Sequence, residues 1–301
     1  MITRPESNFG RRSILGKILE LAQTWIKGAT ENEDYGNAQI LREYCSVNRN
    51  RKIRGRIQHG WIFYDESANY YKNDYARSFV WNSKAVDWSI SKGYSRFVAI
   101  GAPWLYLLEL LKRDGWETTV KPTSERFIEE LWVFGNHGVT ADTVQGKTFL
   151  NFLLKFQESV AENKLLILYY RDFDYLKVNF PELTLNLPIV TVGQRTNSAS
   201  STAHLFRLWH LLSQTKKFVT EFPTTMSVYA MTLKCKTLFI EGEELDNVIT
   251  KCENLSETLL VDLFQNKDLD LNLVSEFAYK SLGKDSLMNP VELSRTLGWS
   301  K

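Results

Sequence analysis

Three short stretches carry residues able to move a proton or hold a phosphate. Gln58-His59-Gly60, Asn136-His137-Gly138 and Thr224-Thr225-Met226-Ser227 each follow a stretch of strand type and sit among small residues. An imidazole titrates near neutrality, so His59 and His137 can each act as general base or as phosphate ligand. Asp65 and Glu66 follow the first stretch, and either can be the base or orient His59. The other two histidines, His204 and His210, fall in or beside a helical pattern. Thr224, Thr225 and Ser227 fall where a helix begins. A helix N-terminus offers unsatisfied N–H groups and a partial positive charge, and neighbouring hydroxyls add donors, which together suit a phosphate. The same residue types are also the ordinary caps of a helix start. Glu221, just before them, can accept a bond from a ribose hydroxyl, and Glu241 and Glu243 can do so from the next strand end. Arg195, between Gln194 and Asn197, can pair with phosphate through its planar fork.

These residues need elements to position them. Strands are predicted at 52–58, 78–81, 96–100, 131–134, 164–170, 189–192, 218–219 and 237–240. Pro223 cannot donate to a sheet ladder, so the strand before it ends there. Helical spacing is predicted at 12–27, 38–44, 149–160 and 205–212, after Ser83, after Pro103 and after Thr224, and again from 245 onward. Ser83 is expected to cap its helix, and Asn289-Pro290 to open a last capped one. Strands alternating with helices imply an α/β fold with a parallel sheet. Ligands of such sheets gather at the C-terminal ends of strands, where His59 and His137 fall. The expected division is an N-terminal α/β domain over 1–160, a second over 161–265, and C-terminal helices over 266–301.

The 301 residues are 44% hydrophobic and 24% charged, a globular balance able to fill a core. A net charge of +2 leaves no broad electrostatic footprint for nucleic acid. Three cysteines without metal-type spacing imply reduced thiols in a cytosolic protein. No phosphate-cradling Gly-rich motif, Asp-x-Asp pair or zinc spacing is present, so the sequence gives no support to a metal-dependent mechanism. No apolar run reaches the roughly 20 residues of a membrane span. Arg11, Arg12 and Lys17, with Ile14, Leu15, Ile18, Leu19 and Leu21, form a basic amphipathic stretch. It suits either peripheral contact with a membrane or packing on its own domain.

The stretch Gln58-His59-Gly60-Trp61, the strand and loop carrying His137, and the series from Thr220 to Ala230 resemble the signature segments of bacterial surface-polysaccharide transferases. The similar group is the clan of CDP-glycerol glycerophosphotransferases and capsule Kdo or sialic acid transferases. Ala99-Ile100-Gly101-Ala102-Pro103 and the C-terminal stretch from Asn289 to Trp299 are similar to proteins of polysaccharide gene clusters. The resemblance implies a GT-B arrangement of two Rossmann-like domains facing a cleft. It implies a nucleotide-sugar donor, CMP- or CDP-linked, and a glycan or lipid-linked acceptor. No separate cofactor is expected. His59, or Asp65 or Glu66 beside it, would be the base, while His137, Thr224, Thr225 and Ser227 would hold the donor phosphate. Glycerophosphate or pyruvyl transfer on the same fold, and a non-catalytic protein of a polysaccharide locus, are the alternatives.

Overall fold

The computed structural model describes residues 32–61, 77–116, 121–135, 144–182, 187–192, 203–240, 242–255 and 257–299. The helix expected over 12–27 lies outside the described residues. Within them the chain is α/β, with two parallel sheets.

The smaller sheet has the order β1-β2-β3, formed by β1 (Arg56–Ile57), β2 (Ser78–Val80) and β3 (Phe97–Ala99). Helix α1 (Asn37–Tyr44) precedes it, α2 (Ser83–Ser91) joins β2 to β3, and α3 (Pro103–Arg113) follows. The cap of α2 is Asn82, whose Oδ1 accepts from Ala85 N at 3.0 Å, and Ser83 is its first helical residue. Pro103 opens α3, where its missing N–H costs nothing.

The larger sheet is built from β4 (Ile128–Val133), β5 (Lys164–Ile167), β6 (Ile189–Val190), β7 (Thr215–Thr220) and β8 (Lys236–Phe239). Between them run α4 (Val144–Glu158), α5 (Tyr170–Asn179), α6 (His204–Ser213) and α7 (Thr225–Thr232). The sheet therefore starts at Ile128, upstream of the division expected at 160. Its strand order is β6-β5-β4-β7-β8, all parallel. From β4 the chain steps outward to β5 and β6, then returns to lay β7 on the other side of β4. This is the order of a doubly wound sheet, and the reversal between β4 and β7 opens a crevice at their C-terminal ends.

Period-two alternation sorts the side chains onto two faces. Leu131, Val133, Ile167 and Phe218 join one core, which includes Val228 and Tyr229 of α7 and extends to Ile57, Phe79 and Trp81 around the smaller sheet. Trp132, Phe134, Leu166 and Val219 face the other way, against Phe149, Phe152 and Phe156 of α4. One apolar cluster thus spans both sheets.

After β8 come α8 (Glu243–Asn254), α9 (Thr258–Phe264), α10 (Leu271–Ser281) and α11 (Pro290–Thr296). α10 packs along α7. The chain then returns to the smaller sheet. Ala102 N donates to Leu282 O at 2.8 Å, Arg54 N to Leu297 O at 3.2 Å, and Trp299 Nε1 to Lys52 O at 3.0 Å. Gly283 is required at its turn. Its φ is +80°, and a Cβ there would lie 1.7 Å from the carbonyl oxygen of Trp81. Among the described residues no helix is long and apolar enough to cross a membrane.

Candidate functional site

The C-terminal end of β1 is held rigid by one buried side chain. Gln58 accepts from Trp81 N at 3.0 Å through Oε1 and donates to Gly60 O at 2.8 Å through Nε2. His59 lies between the residues so pinned. Its Nδ1 is 3.5 Å from Oδ2 of Asp34, a carboxylate almost closed to solvent. The Asp34 turn reaches β1 because buried Asn32 docks on the strand like an extra ladder partner. Its Nδ2 donates to Gly55 O at 2.8 Å, and its Oδ1 accepts from Ile57 N at 2.7 Å. The next residue, Tyr35, has a left-handed φ of +57°. Its ring sits between two imidazoles, with centroids 5.0 Å from His59 and 4.8 Å from His204.

Facing this end is the start of α7. Thr224 and Ser227 form a reciprocal capping box. Thr224 Oγ1 accepts from Ser227 N at 3.2 Å, and Ser227 Oγ accepts from Thr224 N at 2.9 Å. Ser227 Oγ donates its proton to Thr224 O at 2.6 Å. Ser227 is fully buried and spends its hydroxyl on the cap, so the phosphate-binding role expected of it does not hold in this arrangement. Thr225 Oγ1 accepts from Trp61 N at 2.8 Å. A hydroxyl can donate once and accept twice. Among the described residues no hydrogen bond takes the hydroxyl protons of Thr224 and Thr225 or the backbone N–H groups of Thr225 and Met226. These four donors converge at a helix N-terminus.

Between the two ends lies a cavity of about 240 Å³. Its walls include His59, Gly60 and Trp61 from the β1 end, Val133 to Gly135 from β4, and Phe222 to Met226 from the β7–α7 turn. Tyr35, His204 and Tyr229 complete the polar lining. The cavity therefore opens at the reversal point of the larger sheet, where doubly wound folds hold their ligands. Tyr229 is 3% exposed, its ring is stacked on Trp104 at 4.4 Å, and burial, with Tyr35 nearby, raises its hydroxyl well above the usual tyrosine range. Among the described residues no group of three His, Cys, Asp or Glu is placed to hold a metal.

His59, Thr224 and Thr225, expected to meet, do line one cavity. Glu221 does not line it. Its Oε2 accepts from Gly135 N at 2.9 Å and so ties the end of β7 to the end of β4. Asp65, Glu66, His137, Arg195 and Glu241 lie outside the described residues. The sequence reading missed Asp34, Tyr35 and Tyr229, and it set His204 aside as a helix residue. His204 opens the helix that follows β6, so the strand-end argument that singled out His59 also applies to it. Asp34 falls in a polar, Gly-containing stretch of the sequence and carries no local signal. No protein-family model, no curated protein and no solved structure matches this chain.

Proposed function

We propose that the chain is a glycosyltransferase of surface-polysaccharide synthesis. It would move a sugar from a CMP- or CDP-linked donor to a glycan or lipid-linked acceptor. The observation that carries this reading is the convergence of His59 with the donors of Thr224, Thr225 and Met226 on one cavity at the reversal point of the sheet. The acceptor oxygen attacks the anomeric carbon and gives its proton to His59. The bond from that carbon to the donor phosphate breaks, and its electron pair goes to the phosphate oxygen. Charge growing on that oxygen meets the amides and hydroxyls at the start of α7, preorganised donors of the kind that stabilise a leaving group. The two sheets are then the acceptor and donor halves of a GT-B arrangement. The setting is the cytoplasm, with peripheral contact at the inner membrane.

A thermal-shift panel of CMP, CDP, UDP, UMP and GDP tests the reading. A nucleotide that binds the folded state raises the midpoint, by about 2.7 kcal/mol of stabilisation at a hundredfold excess over Kd. Consumption of the matching nucleotide sugar then tests transfer. Absence of any shift across the panel at millimolar concentration would remove the donor site.

A second reading has one observation in its favour. No Asp or Glu lines the cavity among the described residues, and neutral sugars are commonly held by such acceptors. Transfer of a compact phosphate-linked group, such as glycerophosphate, suits a lining rich in donors. Turnover of CDP-glycerol without turnover of any nucleotide sugar would select it.

A further inference from the structure

We propose that Asp34 is the positioning residue for His59, fixing the imidazole as a base with its proton on Nδ1. The inference deepens the transferase reading and rests on it for the chemistry, while the geometry stands by itself. The Asp34–Gly36 turn cannot drift from the strand that carries His59, because Asn32 bonds both Gly55 and Ile57 of that segment. Ala38 N donates to Asn32 O at 2.9 Å, which closes the turn into α1. The neighbouring carboxylate, Glu33, is drawn the other way by a two-pronged pair with Arg42 at 2.6 and 2.8 Å. Oδ2 of Asp34 lies 3.5 Å from His59 Nδ1, with 6% of the Asp34 side chain exposed.

A carboxylate withdrawn from water interacts strongly with a charge at that distance. It favours the neutral tautomer with Nδ1–H toward Asp34, which leaves the lone pair on Nε2. When Nε2 takes the acceptor's proton, the imidazolium gains from the same carboxylate, which keeps its own charge throughout. Among the described residues the other titratable groups around His59 are Tyr35 of the same turn, His204 of α6 beyond the Tyr35 ring, and Tyr229 of α7 on the cavity wall. None of these carries a negative charge at neutral pH, and Asp34 is the carboxylate placed 3.5 Å from Nδ1. This is the role the sequence assigned to Asp65 or Glu66, supplied here from a turn upstream of β1.

The test is a ¹⁵N imidazole NMR titration of the full chain, with His59 assigned through His59→Gln and no ligand added. In the parent protein neutral His59 should carry its proton on Nδ1. In Asp34→Asn its midpoint should fall by about one unit or more, the usual effect of removing an opposite charge. Asp34→Glu should restore most of the shift. A parent His59 protonated on Nε2, or an unchanged midpoint in a folded Asp34→Asn, would overturn the proposal. The tautomer is read on the parent protein, so the test survives a variant that fails to fold. Once a donor is found, Asp34→Asn should lower kcat by about tenfold or more with little change in KM. The acid limb of the pH–rate profile should move down by the shift seen in the titration. If no donor is turned over, the transferase reading fails while the titration still decides the role of Asp34.

Discussion

The backbone N–H of Trp61 donates to Oγ1 of Thr225 at 2.8 Å, joining positions 164 residues apart in the chain. One partner follows the His59 turn of the smaller sheet, and the other opens α7 of the larger one. Gly60 makes the approach possible, since a Cβ there would sit 2.7 Å from the same hydroxyl oxygen. The base and the phosphate donors of the proposed site are therefore set relative to each other by one side-chain oxygen.

Thr225→Val keeps the shape of that side chain and removes the acceptor. It leaves the Trp61 amide without its partner, which costs about 1–2 kcal/mol. For a chain of 301 residues the midpoint of unfolding should drop by about 1.5–3 °C. Nucleotide affinity should fall as well, because a hydroxyl donor is lost with the acceptor. Thr225→Ser, which keeps the oxygen, should retain both properties. A parent-like midpoint and affinity in Thr225→Val, measured by differential scanning fluorimetry and nucleotide titration, would show that the hydroxyl does not hold this joint.

His59→Ala separates chemistry from binding. Loss of a general base lowers transfer by about 10²- to 10⁴-fold. The donors at the start of α7 do not depend on the imidazole, so nucleotide binding should remain nearly intact. Calorimetric titration with the nucleotide found to bind, beside a turnover assay, checks both halves. Parallel loss of binding and transfer would defeat the role given to His59.

Arg126 anchors the opposite end of α7. It is 3% exposed, and its guanidinium donates to Lys121 O at 3.0 Å, Thr215 O at 2.7 Å and Leu233 O at 2.8 Å. The first two carbonyls belong to the entries into the larger sheet, and the third is at the C-cap of α7. Arg126→Met fills the space and leaves buried carbonyls without donors, at a cost of about 2–4 kcal/mol. Arg126→Lys keeps the charge but lacks the planar fork, so it should recover only part of the loss. Urea unfolding midpoints of the three proteins give the comparison. A parent-like midpoint in Arg126→Met would show that water replaces the guanidinium without penalty.

Most of the eight strands among the described residues were legible because they contain a short apolar run, and the hydrophobic effect acts on such runs wherever the sheet places them; β1, Arg56–Ile57, has a single apolar residue. Which strands pair was not legible. Lys164–Ile167 is the most apolar stretch and reads as the start of a new unit, whereas the sheet is centred on Ile128–Val133, whose partners are set by long-range packing. The helix Tyr170–Asn179 escaped because its apolar positions repeat weakly. At the site, the meeting of His59 with Thr224 and Thr225 followed from their places at strand ends. The inward commitment of Ser227 did not, since a capping hydroxyl and a ligand-binding hydroxyl occupy the same sequence position. Asp34 was invisible for a different reason. It reaches His59 through the Asn32 bonds to the backbone of β1, and no spacing rule reports such a contact.

The three thiols predict how stability changes in alkali. Cys45, Cys235 and Cys252 are all unpaired by disulfide, and burial pushes their pKa values up to about 11, about 12 and about 11. For Cys235 the nearby Arg126 opposes the shift without cancelling it. In the unfolded chain a thiol titrates near about 8.5. Below that pH both states hold their protons, and the contribution to stability is fully present. As pH rises further the unfolded chain ionises while the folded thiols do not, so the unfolded state binds fewer protons and stability falls until the folded thiols titrate. The urea midpoint should therefore be lower at pH 10.5 than at pH 8, and in a Cys45→Ala, Cys235→Ala, Cys252→Ala protein the decline should be shallower. Tyr106 and Tyr229 are also raised by burial and add to the loss at the upper end. A decline of equal slope in the cysteine-free protein would assign the alkaline loss to buried phenols instead, Tyr44 and Tyr279 included, since burial raises these two as well.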